Sequence, residues 1–157
     1  MSTSLNLVIY HRNGDDLIEE DLRTARCEEI PPSMLNAIRE KFPTQKCKIY
    51  YDSTKEDFFE IDHFARTDIP KIISVLRGLF DDLIKHEHDL RNLGVDTASP
   101  RLKGSDLTLF NILPSQNELD PTSVAIGRFR ILISIIDIFS EMQTKYVNEP
   151  DAVLKLG

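Results

Sequence analysis

At 157 residues the chain has the size of one ordinary domain, long enough to bury about two-thirds of its unfolded surface without a disulfide or a metal. Its 26 acidic and 19 basic residues leave a net charge of -7, which repels phosphate backbones and anionic membranes and favours a basic protein partner. With 41% hydrophobic residues it is too apolar to stay disordered, and a single domain over 1–157 is expected.

Met1 to Ser4 carries no basic residue, and the apolar run that follows is broken by Asn6, so no export signal is read. Cys27 and Cys47 have neither disulfide-like nor zinc-like spacing, which fits reduced thiols in a cytoplasmic protein. The most apolar window, Ile131 to Phe139, contains Ser134 and Asp137 and is far shorter than the roughly 20 residues a membrane helix needs.

In chain order, Leu5 to Tyr10 has the composition of a strand, and Asn13-Gly14 after it is a hairpin signal. Residues 15–29 are ambiguous, because Leu17, Ile18, Leu22 and Ala25 suit a helix while the preceding turn signal suits a strand; strand is preferred. Ser33 is placed to cap a short helix through Met34, Leu35, Ile38 and Phe42, stopped by Pro43. Lys46 to Tyr51 and Asp57 to Asp62 read as two strands joined by a five-residue loop, hence an antiparallel hairpin.

A long helix is expected from Ile69 to about Leu93, with Asp68 as N-cap, Pro70 in the first turn and Gly94 at the end. Polar residues recur at steps of three and four from Lys71 to Asn92, leaving a single narrow wet stripe. After a connection over 95–120, with one strand expected at Leu107 to Ile112, a second helix should run from Pro121 to about Asn148. Asp120 is its N-cap, and its polar stripe repeats the same spacing from Gly127 to Asn148. The expected fold is therefore α+β: a small antiparallel sheet from the N-terminal half packed against two long, mostly buried helices at about 69–93 and 121–148.

Chemical signatures are sparse. Asp82, His86 and Asp89 fall at i, i+4 and i+7 on one helical face and could converge on a divalent metal, which makes a small metal-dependent enzyme the alternative reading. His88 sits about 200° from His86 around the helix and cannot share that ion, and a solvated face explains the cluster more simply. His63 follows Asp62 at a strand end, but strand neighbours point to opposite faces and do not naturally pair. Cys27 and Cys47 read as small core fillers. No phosphate-binding loop or nucleophile elbow occurs, and no cofactor or catalytic residue is expected.

Charge is distributed unevenly. Asn13 to Glu29 holds seven acidic residues and two arginines, a balance of -5, whereas Ile30 to Tyr51 holds four basic residues and one acid. With no catalytic set in view, the sequence favours a non-enzymatic acidic protein that inhibits or occludes a basic partner, in the manner of an immunity protein or antitoxin. The expected contact residues are Asp15, Asp16, Glu19, Glu20 and Asp21 with Arg101 and Lys103 of the long connection. Gly78 and Gly127, inside helices where glycine costs about 1 kcal/mol against alanine, mark places where another segment or another protein could pack closely, and a homo-oligomer packed through the helical stripe is a further reading.

Overall fold

The computed structural model describes residues 3–92 and 121–157, with side chains described over 3–85 and 127–157. Along the chain the elements are β1 (Thr3–Asn13), β2 (Asp16–Ile30), α1 (Pro32–Lys41), β3 (Gln45–Tyr50), β4 (Phe58–His63), α2 (Ile69–Asn92), α3 (Pro121–Thr144) and β5 (Ala152–Leu156). The five strands form a closed barrel in the order β1-β2-β3-β4-β5.

This overturns the expected sheet laid against two buried helices. The reason lies in residues 152–156, which pair antiparallel with β1 from Leu5↔Leu156 to Ile9↔Ala152 and touch β4 at His63↔Lys155. A sheet that meets itself turns one face into its own interior, so the barrel fills that interior and the helices pack only on part of its outside. One joint is also parallel, between β2 and β3 at Leu17↔Ile49 and Ile18↔Tyr50, because α1 carries the chain across between them.

Closure requires strong curvature, and β2 supplies it. The β1–β2 register slips once between Leu7 and Val8, where Ala25 is the extra residue, and again around Tyr10, which faces residues 19–22 alone. Asp21 in that second irregularity has φ 64, a left-handed conformation that an aspartate tolerates better than most residues. Bulges of this kind bend and twist a strand, which lets fifteen residues wrap round the barrel. The hairpin before it turns on Gly14 with φ 68 between the paired Asn13 and Asp16, so glycine occupies the first central position of a two-residue loop.

Two apolar clusters result. Val8, Tyr10, Leu17, Ile49, Ile61 and Val153 fill the barrel interior. On the outside, Leu5, Leu7 and Leu154 pack with α1, α2 and α3 in a larger cluster that includes Phe64, Leu76, Leu132 and Phe139. Strand β1 thus buries both faces over its centre, which is why its apolar residues do not alternate.

The long helices occupy 69–92 and 121–144, but α2 is amphipathic rather than mostly buried. Ile69, Ile72, Ile73, Leu76, Leu79 and Leu83 face inward, while Arg77, Gly78, Asp81 and Ile84 are exposed. Helix α3 is buried along Leu132, Ile135, Ile138 and Phe139 and exposed at Ile133, and it stops at Thr144 rather than near Asn148. Two further expectations fail. Helix α1 starts at Pro32 with Pro31 in the capping position and no side-chain cap, so Ser33 lies inside the first turn and its buried hydroxyl has no partner among the described residues. Cys27 is exposed on β2 rather than filling a core. The expected strand at Leu107 to Ile112 lies outside the described residues.

Polar links fix the helices to the barrel. Ser134 donates to Glu28, whose other carboxylate oxygen accepts from Arg26 at 2.8 Å, and Arg26 reaches Glu141 at 3.5 Å. Burial opposes the charge on Glu28, but the Ser134 hydroxyl and the Arg26 guanidinium outweigh it and leave the carboxyl below its ordinary value. At the far end of α3, the Arg66 guanidinium donates to the carbonyls of Tyr146, Val147, Glu149 and Ala152, tying the turn between α3 and β5 to the entry of α2.

Candidate functional site

One end of the barrel gathers the features that bear on function. It is built from the tips of two hairpins, the turn between β1 and β2 and the loop over 51–57 between β3 and β4. The parallel pairing of Ile18 with Tyr50 brings the start of β2 alongside the end of β3. Lys55 then locks the tips together: its ammonium donates to Asp16 at 2.7 Å and to the Asn13 carbonyl at 3.1 Å, and Ser53 donates to Glu20 at 3.4 Å. Lys55 holds φ 58, so the loop takes a left-handed turn at the residue that makes the clasp.

The five acidic residues read from the sequence lie along the turn and the first part of β2, in different roles. Asp15 and Asp21 are exposed, Asp16 is engaged by Lys55, and Glu20 is exposed beside Ser53. Glu19 is half-buried, and its charge acts on Tyr10 in the barrel interior. Arg101 and Lys103 lie outside the described residues.

The clasp adds three carboxylates that sequence reasoning passed over, Asp52, Glu56 and Asp57, all exposed on the neighbouring loop. The hydroxyl and amide of Thr54 hold the Asp52 carboxyl below its ordinary value, so it is a fixed charge at neutral pH and not a proton donor. Two aromatic residues flank the loop and were missed as surface features: Tyr51 is 51% exposed and Phe58 is 52% exposed. Alternation within the doublet Phe58-Phe59 turns Phe58 outward, whereas Tyr51 is exposed just past the end of β3.

Phe59 packs against the barrel interior and carries Tyr51 at a ring distance of 4.9 Å, whereas Tyr50 and Phe58 stand 6.2 Å apart on the outer face. On that same face Lys48 extends its ammonium over Phe58 and Tyr50, and Lys46 pairs with Glu60 at 2.8 Å. The basic stretch of the sequence thus falls on β3 and the end of α1, with Lys46, Lys48, Arg39 and Lys41 all exposed.

No protein-family model matches this chain, and no curated protein or solved structure shows significant similarity to it. Function rests on the chain's own geometry.

Other places are less suggestive. Among the described residues no three His, Cys, Asp or Glu side chains are grouped to hold a metal ion. Asp82 is exposed, and the side chains of His86 and Asp89 lie outside the described residues. His63 lies on β4 with its Nδ1 at 3.1 Å from the neighbouring Phe64 carbonyl, a local structural contact. The Cys47 thiol is pushed up by burial, the opposite of what a reactive cysteine needs. A cleft of about 380 Å³ between α1 and β4 has an apolar floor at Leu35 and Ile61 and a rim that includes Thr3, Asn36, Arg39, Glu60 and Asp62. No described helix is long and apolar enough to cross a membrane.

Proposed function

We propose that this chain is a non-enzymatic binding protein that seats the acidic end of its barrel on a basic protein partner and occludes it. The observation that carries this reading is the Lys55 clasp, which joins the carboxylates of two hairpin tips into one surface flanked by the exposed rings of Tyr51 and Phe58. Carboxylates clustered at a rim speed encounter with a basic surface and exclude acidic ones, while aromatic side chains supply contact area at low entropic cost. A rigid β-rich scaffold holds the surface ready, so little ordering is required on docking.

The test is a comparison of two baits. Wild-type protein and a variant carrying Asp15→Asn, Glu20→Gln and Asp21→Asn, all at exposed positions, are used to capture proteins from the native cell extract at low and high salt. The expected result is one basic protein retained stoichiometrically by the wild type at low salt, released at high salt, lost by the variant, and reduced in its own activity when bound. If the wild type retains no such protein, the proposed role is wrong.

A further inference from the structure

We infer that the aromatic pair Tyr50 and Phe58 is a seat for a cationic side chain of the partner, preferentially arginine, and that Lys48 of this chain occupies the seat in the free protein. This rests on the basic-partner reading above and names the contact that recognises such a partner.

The seat is visible because it is already filled. The Lys48 ammonium lies 3.8 Å from the centre of the Phe58 ring and 4.5 Å from that of Tyr50, and it donates to the Tyr50 hydroxyl at 2.8 Å. These distances are well inside the roughly 6 Å over which a cation is attracted to the negative face of an aromatic ring. Ladder pairs Lys48↔Glu60 and Tyr50↔Phe58 place all four residues on the outer face of the hairpin, which the described helices leave uncovered at Phe58.

Lys46, two residues earlier on the same face, takes the carboxylate of Glu60, whereas Lys48 folds onto the rings. The rings are therefore a cation site in their own right, adjoining the loop that carries Asp52, Glu56 and Asp57.

An incoming arginine suits the position better than the resident lysine. Its planar guanidinium can stack on the exposed Phe58 ring and still present N–H groups at the ring edge for further hydrogen bonds. Lysine offers a single, strongly hydrated charge and gives up its ring contact with less loss. Lys48 thus covers the aromatic surface in the free protein and yields it on docking.

The experiment titrates the full chain with a short synthetic arginine-rich peptide and with the same peptide carrying glutamine in place of arginine. Phe58→Ala should weaken the arginine peptide about fivefold, and Phe58→Leu, which keeps most of the apolar area, should weaken it similarly. Lys48→Met should tighten it about threefold, whereas Lys71→Met on α2, an equal change in net charge, should alter it much less. Phe58 and Lys48 are surface residues, and unchanged melting of each variant confirms that folding is intact. If the Phe58 variants bind like wild type while Asp15→Asn with Asp21→Asn weakens binding, the aromatic seat is wrong and the acidic docking surface stands. If Lys48→Met and Lys71→Met behave alike, Lys48 is not a resident occupant. Absence of any preference for the arginine peptide over the glutamine peptide at low salt overturns the basic-partner reading itself.

Discussion

Arg66 donates through Nη2 to the carbonyl oxygen of Ala152 at 2.8 Å, binding the residue that opens β5 to the residue that leads into α2. The same guanidinium takes the carbonyls of Tyr146, Val147 and Glu149, which follow α3 and face the negative end of its dipole. A flexible ammonium cannot span four acceptors in a planar fork. Arg66→Lys should therefore destabilise the protein by about 1 kcal/mol and Arg66→Ala by about 2 kcal/mol. Urea unfolding followed by circular dichroism checks this, and an unchanged midpoint for Arg66→Ala would refute it.

Tyr10 is buried in the barrel interior, and its hydroxyl has no hydrogen-bond partner among the described residues. Burial first, then the charges of Glu19 and Cys47, push the phenol up to about 12. The folded state thus favours the neutral phenol. That contribution is whole below the ordinary value of about 10 and is lost as pH rises through about 12. In an absorbance titration, one of the four tyrosines should ionise last, together with the onset of unfolding. Tyr10→Phe should remove that step and stabilise the fold by about 1 kcal/mol, since an orphaned hydroxyl costs more buried than solvated.

Glu28 and Glu141 behave in the opposite sense. Arg26 links both, and both carboxyls lie below their ordinary value: Glu28 because Ser134 and Arg26 outweigh its burial, Glu141 chiefly through Lys145 and then Arg26. Their contribution is complete above the unfolded-chain value of about 4.3 and disappears as pH falls through the folded values beneath it. Thermal melting from neutral to acid pH should show a decline below about pH 4.3 that is shallower in Glu28→Gln. Parallel curves for the two proteins would remove the link from the account of acid stability.

Gly78 lies on the exposed side of α2, and a Cβ built there meets nothing within 4 Å. The same holds for Gly127 in α3, so among the described residues nothing packs closely at either glycine. Gly78→Ala should stabilise the protein by about 1 kcal/mol through helix propensity alone. A melting temperature that falls instead would show that the position is held by a contact which alanine breaks.

The helices were legible because their caps and their three-and-four spacing are local, and α2 begins and α3 begins where Asp68 and Pro121 place them. The barrel was not. Strand β5 is five residues, Ala152 to Leu156, without alternation, and its partner β1 lies at the opposite end of the sequence. Strand β2 carries Glu19, Glu20, Asp21, Glu28 and Glu29, which depress strand propensity, and its bend at Asp21 breaks the period of two. The run of acidic residues from Asp15 to Asp21 is visible in the sequence as composition. Their union with Asp52, Glu56 and Asp57 could not, because it depends on Lys55 reaching across two hairpins.

The pairing of β1 with β5 has a consequence for synthesis. A ribosome must deliver both hairpins and the two long helices before the closing segment appears, so Leu5 to Ile9 wait with one edge unsatisfied until β5 emerges. Until then the nascent chain carries an open strand edge prone to aggregation, and chaperone dependence should centre on that interval.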